Sequence, residues 1–515
     1  MKKPPDISIT EDATSGKDPP REDEVPVAER PIRLAQSECS EFFTDDRGNP
    51  FVQIPLDGHR EIWALKGARF QRWLAAQYRA TYGQPPNMQA LKQAILILWT
   101  ECDGGKQYKL YNRVAWHEGA LYYDLANHAW RAVRITASGW QMVDDPPILF
   151  RRYDHQKPQV EPAQGGDARA LLKYLNLPLD PSLELLLLVY VGGCFVADFP
   201  HPIVVLTGPQ GSAKSSLFRF VRAVVDPSRV PILSFPRKAI ELVQQLSHHW
   251  LSLYDNVTDL PDWLSDALCR ASTGEGMSKR VLYTIDEDFI YEFRRCVGIN
   301  AITNPATRAD LLDRCIIFNL PSIPPQRRQP ESELWEQFEK ELPGIVGGFF
   351  DTLSHAIKTH PIKLPWLPRL ADFARWGAGI AEGLGYSRQE FIEAYRTHIG
   401  ELHQRAIEAQ PLAQAIIALM QGRNGWEGTA TELLQDVRDV ALFQLIDTDS
   451  ETWPTNPEWL SRRLGEAEHI LQQVGIQVER HKEQSRRLIV LTRVQAKNDE
   501  STAGNGNPCP AEGLG

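Results

Sequence analysis

The residues with the clearest chemical potential form one turn, Gly208-Pro209-Gln210-Gly211-Ser212-Ala213-Lys214-Ser215-Ser216. It follows a β-branched and aliphatic run, Val204-Val205-Leu206-Thr207, and precedes a segment with helical apolar spacing, 217–224. A strand, a glycine turn and a Lys-Ser pair opening a helix suit the binding of phosphate groups. The turn's backbone N–H groups and the helix N-terminus would surround a polyphosphate, Lys214 would reach its terminal phosphates, and Ser215 would hold Mg²⁺. Ala213 departs from the pattern G-x-x-x-x-G-K-[ST], standing where the second glycine belongs. It carries a Cβ and lacks glycine's freedom at positive φ.

Such a loop works only with a metal-binding acid at the end of a later strand. Trp250-Leu251-Ser252-Leu253-Tyr254-Asp255 supplies one, so Asp255 is the expected metal partner of Ser215, directly or through water. Its other reading is a strand-end aspartate in a turn. The run Arg295-Cys296-Val297-Gly298-Ile299-Asn300 ends in an amide that can orient attacking water, and Asn304, just before Pro305, is the second candidate. The run Cys315 to Leu320 is introduced by Asp313-Arg314. Arg314 is expected either to reach a neighbouring subunit's γ-phosphate or to pair with Asp310 or Asp313. Between acid and amide, a helix ends at Thr273-Gly274, and a short hairpin carrying Lys279 and Arg280 follows.

In this order, the loop, the strand with Asp255, the Thr273-Gly274-Glu275-Gly276 turn with its basic residues, Asn300 and Asp313-Arg314 resemble the superfamily 3 helicases. Within them the match is to the helicase part of phage and plasmid primase-helicases of the pox-virus type, over about 168–328. The resemblance implies a P-loop, AAA+-like ATPase core with a parallel sheet that binds ATP and Mg²⁺ through Gly208, Gly211, Lys214 and Ser215. It also implies Asp255 as metal acid, Asn300 as sensor, Lys279 and Arg280 as a grip on single-stranded DNA in a ring channel, and Arg314 as an inter-subunit finger. A homo-oligomer, hexameric by resemblance, and a role in mobile-element or phage replication follow. Asn256 stands where the family usually has a second acid to activate water, which leaves open an ATP-gated DNA-binding or loading protein with slow or no hydrolysis.

The elements that must position these residues fall into segments. At 515 residues, the chain has room for about three or four domains. Residues 1–36 and 496–515 are too polar to repay ordering and read as disordered tails. Residues 37–165 form an α+β N-terminal domain: helical spacing over 61–101, then an antiparallel meander over 108–143. Asp124 stands alone and Asp144-Asp145 lies in a Pro-rich turn, so this domain has no two-metal polymerase site. A linker at 158–166 leads to the ATPase domain, 166–328. A helical subdomain, 329–407, is broken at Pro343, Pro361 to Pro368 and Gly383 to Tyr386. In 408–495, three helices and a hairpin have the order of a winged helix. Arg462, Arg463, His481, Lys482, Arg486 and Arg487 are set there to contact duplex DNA, and a protein-docking role is the alternative.

Composition sets the outer bounds. The net charge of -10 excludes a histone-like basic coat, so nucleic-acid contact must be local. No apolar run approaches the ~20 residues of a membrane span, and Leu185 to Val196 reads as a buried helix. Seven scattered cysteines without C-x-x-C spacing, and no secretory signal, point to a reducing cytoplasm and no zinc site.

Overall fold

The computed structural model describes residues 26–274, 277–280, 288–291, 294–306, 308–450, 452–483 and 486–494. Residues 1–25 of the first expected tail and the whole of the second, 496–515, lie outside them. Helix α1 (Arg30–Glu38) nevertheless begins inside the N-terminal stretch, because Ile32, Leu34 and Ala35 are buried. Strands β1 (Glu41–Asp45), β2 (Pro50–Leu56) and β3 (His59–Ala64) follow, so the helical spacing expected from residue 61 starts with a strand. Helix α2 (Ala68–Tyr82) places Phe70, Leu74 and Tyr78 on one face and stops at Gly83, whose φ is +72°. Helix α3 (Met88–Gly104) is capped by the Asn87 side chain. With β4 (Lys106–Tyr108), the strands form a sheet of order β3-β2-β1-β4 beneath the three helices.

The meander is shorter than its pattern implied. Its expected first strand is split into β4, β5 (Leu110–Tyr111) and β6 (Val114–His117), with Arg113 at φ 64° between the last two. Strands β6, β7 (Ala120–Asp124), β8 (Ala132–Thr136) and β9 (Gly139–Val143) pair antiparallel in order, and β10 (Leu149–Phe150) pairs with β5. Asp124 is occupied by the Arg152 guanidinium at 2.6 and 2.9 Å. Residues 158–166 are not a free linker. Gln159 donates to the Ala223 and Val224 carbonyls, and the Ala163 N–H donates to Pro343.

The central layer is a parallel sheet. Helix α4 (Pro181–Gly193) is buried from Leu185 onward and precedes β11 (Ile203–Thr207) and α5 (Lys214–Val225). Then come α6 (Ala239–His248), β12 (Leu251–Tyr254), α7 (Asp262–Thr273), the antiparallel hairpin β13 (Met277–Arg280) and β14 (Asp288–Tyr291), β15 (Cys296–Asn300), α8 (Ala309–Leu312) and β16 (Cys315–Asn319). The sheet order is β12-β15-β11-β16, all parallel. The turn at 208–213, Asp255 and Asn300 therefore share its carboxyl edge, where α/β sheets place ligands. A Cβ at Gly298 would meet Phe218 at 2.8 Å, so the missing side chain lets α5 lie close on β15.

Helix α9 (Glu331–Thr359) runs unbroken through Pro343, against expectation. An interior proline costs about 3 kcal/mol. Here Gly344, Gly347 and Gly348 seat residues 163–168 directly on the helix backbone, and a Cβ at Gly347 would meet the Ala163 carbonyl at 1.8 Å. Helices α10 (Ala371–Gly383) and α11 (Arg388–Glu408) complete the helical part. The last unit is α12 (Pro411–Leu419), β17 (Gly425–Thr429), α13 (Ala430–Gln444), α14 (Pro457–Gln473), β18 (Ile476–Glu483) and β19 (Arg486–Arg493), with β17 completing a sheet of order β17-β19-β18. No helix among the described residues is long and apolar enough to cross a membrane.

Candidate functional site

The turn after β11 is shaped by its backbone. Gly208 has φ +136°, and a Cβ there would lie 2.4 Å from the Leu320 carbonyl oxygen, so only glycine passes this point. Pro209, Gln210 and Gly211 are exposed, while Ser212 is buried and its hydroxyl donates to the Pro209 carbonyl at 2.9 Å. Ala213 takes φ 60°, ψ 28°, the left-handed conformation that the absent glycine would adopt without strain. Ala213→Gly is therefore expected to stabilise the chain by about 1 kcal/mol in urea unfolding.

Helix α5 opens directly from this turn. Its N-cap, Ala213, offers no side-chain acceptor, and its first turn has no acid, so the leading N–H groups and the positive helix end face the loop without a side-chain counterpart. Lys214 donates to the Gly208 carbonyl (2.7 Å), the Pro209 carbonyl (2.9 Å) and Ser212 Oγ (3.3 Å). Burial lowers the pKa of its ammonium, and Asp255 works against that shift.

Three sequence-distant side chains meet beside it. Ser215 Oγ lies 3.3 and 3.4 Å from the Asp255 carboxylate, and Asn300 Nδ2 donates to Ser215 Oγ at 3.2 Å. Asn300 is fully buried at the end of β15, the strand between those of the loop and the acid. Its Oδ1 accepts from the Asn256 N–H at 3.0 Å. Asn304 instead closes its own turn onto Ala306. Asn256 is exposed at φ 54°, and Ser216 is half-buried on the first turn of α5. Uncapped amides, a glycine-only cradle, an ammonium and a hydroxyl–carboxylate pair together suit a polyphosphate with a divalent cation.

Of its two expected roles, Arg314 takes the local one, turned to Asp310 but bonded to its carbonyl rather than its carboxylate. It is only 8% exposed, and its NH1 donates to the Asp310 carbonyl at 2.5 Å. It precedes β16, at the amino edge of the sheet, away from the phosphate turn. A finger reaching a neighbouring subunit needs an exposed guanidinium, and Arg314 has none.

The expected DNA contacts divide. Backbone pairing places Lys279 opposite Phe289 and Arg280 opposite Asp288 in the β13–β14 hairpin, whose loop at 281–287 lies outside the described residues. Lys482, Arg486 and Arg487 are exposed at the tip of the β18–β19 hairpin, and His481 beside them meets Glu479 at 3.1 Å. The Arg462 side chain is 79% exposed, whereas that of Arg463 is 30% exposed and bonds Glu466 at 2.7 Å. Arg463 helps line a cleft of 1370 Å³ between the parallel sheet and the C-terminal unit, so it is turned inward.

Two residues of the site had no sequence signal. Asn176 donates to the Ser212 carbonyl at 3.1 Å and the Pro321 carbonyl at 2.7 Å, tying the turn to the segment after β16. Asn319 ends β16 within 3.4 Å of the Thr207 hydroxyl. Both are lone amides outside any motif, and only the fold places them at the turn.

Residues 169–405 match the family model of the actinomycete integrative conjugative element replication protein, and residues 412–504 match the RepA C-terminal domain of the same elements. No curated protein matches the chain. Among solved structures, the A-form apo C-terminal region of NrS-1 is 12% identical with a TM-score of 0.40, covering 90% of this chain and 98% of that one. A further apo structure of that region has 12% identity and a TM-score of 0.41, covering 92% of this chain and 100% of that one.

Proposed function

Because this chain belongs, over residues 169–405 and 412–504, to the replication proteins of actinomycete integrative conjugative elements, we propose that it is a P-loop ATPase of superfamily 3 helicase type. On this reading it assembles as a ring, a hexamer by resemblance, and moves along single-stranded DNA when the element replicates. The carrying observation is the meeting of Ser215, Asp255 and Asn300 beside the uncapped start of α5, from positions 40 and 85 residues apart in sequence. The C-terminal unit, three helices with a three-stranded sheet, is read as a winged helix. It presents Arg462, Lys482 and Arg486 to duplex DNA or docks a replication partner.

Each residue's part follows from its position. The loop amides and the α5 N-terminus hold phosphate charge, and Lys214 adds a full positive charge there. Ser215 and Asp255 hold the cation. Asn300 fixes the Ser215 hydroxyl with one end of its amide and the Asn256 backbone with the other. Bound ATP with Mg²⁺ supplies a terminal phosphoryl group for hydrolysis. Lys279 and Arg280 grip the DNA phosphates.

Asn256 favours a second reading, because an exposed amide takes no proton from water. The chain would then load ATP, assemble and hold DNA with slow turnover. ATP turnover with and without single-stranded DNA tests the main reading, which requires stimulation; equal rates contradict it. Asn256→Glu separates the two. A gain of about 100-fold, the scale of a positioned base, marks the natural chain as a slow switch, while an unchanged rate favours the motor.

A further inference from the structure

At the amino edge of the parallel sheet, opposite the phosphate turn, residues 151–157 are clamped onto the core. The Lys157 N–H donates to the Pro227 carbonyl at 2.9 Å, the Arg229 N–H donates to the His155 carbonyl at 2.8 Å, and His155 Nε2 lies 3.0 Å from the His248 carbonyl. The Arg151 guanidinium sits 5.2 Å from the Phe51 ring centre and 4.8 Å from that of Tyr153, and Tyr153 stacks on His248 at 4.4 Å. This column holds Arg151 in a set orientation.

What the column does not provide is counter-charge. Among the described residues, no carboxylate lies within ion-pair distance of Arg151, Lys157 or Arg229. Lys157 and Arg229 are exposed, with Asp154 the exposed acid in the same stretch. Arg151 also acts on a neighbour. Burial and Arg151 together lower the pKa of His248. A domain junction that holds one guanidinium in place and brings two exposed cations beside it on backbone-clamped loops is suited to a polyanion.

The β13–β14 hairpin springs from the same edge, since α7 ends at Thr273, Arg294 Nε donates to the Thr273 carbonyl at 3.1 Å, and β15 starts at Cys296. We infer that Arg151, Lys157 and Arg229 form a second single-stranded DNA site, through which the N-terminal region holds the phosphates of a strand passing to the hairpin. The inference rests on the DNA reading proposed above and gives the N-terminal region a part in it.

The test is fluorescence anisotropy of the full chain with a labelled oligo-dT over a salt series. Lys157→Ala/Arg229→Ala removes two exposed loop side chains and should keep the fold, as checked by circular dichroism. Its plot of log affinity against log salt should be shallower by about 1.4, and by about 2 with Arg151→Gln added, at about 0.7 per lost phosphate contact. ATP binding should be unchanged. A parent-like slope and affinity in these variants, with the parent binding DNA, overturns this site and leaves the proposed function standing. No DNA binding by the parent overturns both.

Discussion

Lys214→Ala is expected to lower DNA-stimulated ATP turnover by about 100- to 1000-fold, the scale for losing one preorganised charged donor at a reacting phosphate. The ammonium reaches two loop carbonyls and one loop hydroxyl at 2.7 to 3.3 Å, on the side of the turn that α5 faces. Burial lowers its pKa, and Asp255 partly offsets that shift. Phosphate charge at the same place would favour the charged lysine further. Its hydrogen bonds stay within the loop, so a melting curve of the variant should stay close to that of the parent. A large loss of turnover together with retained melting assigns the lysine to the chemistry rather than the fold.

Asp226→Asn is expected to destabilise the chain by about 3–5 kcal/mol, because it breaks a buried ion cluster on one side only. Asp226 is fully buried, with Arg113 Nε at 2.9 Å, Arg222 NH2 at 3.3 Å and the Leu251 N–H at 3.3 Å. Arg113 also donates to the Asp124, Lys157 and Pro227 carbonyls, so the cluster ties the N-terminal meander to the core. Burial alone would raise the Asp226 pKa, but Arg222 and Arg113 outweigh it and hold the carboxyl at about 2. The folded value lies below the ordinary 3.8. The stabilisation is therefore complete above about pH 4 and is lost as pH falls through about 2. In urea unfolding, the gap between parent and variant should be full at pH 7 and shrink below pH 4.

The site was legible because its parts are strand ends and turns, where local residue types carry the geometry. A glycine turn before Lys214-Ser215, an acid closing an apolar run and an amide closing another each mark the carboxyl end of a strand, and parallel strands bring those ends together. The doubt about Ala213 also proved physical, since its φ is positive. Features set by burial or long-range packing were less visible. Residues Phe51 to Ile54 are buried on both faces, so β2 shows no alternation. Strand β17, Gly425-Trp426-Glu427-Gly428-Thr429, has little strand propensity and exists through its pairing with β19. Pro343 sits inside a helix because a stripe of glycines seats a neighbouring segment there. Arg314 carries a finger's sequence context, but its guanidinium is folded onto Asp310.

Calorimetric titration of ATP into the full chain, with and without Mg²⁺ and against Lys214→Ala, reads out nucleotide binding at the turn after β11. One site per chain is expected, weakened when Mg²⁺ is withheld and lost in the variant. Heat of binding that is equal in parent and Lys214→Ala, or absent from both, would contradict it.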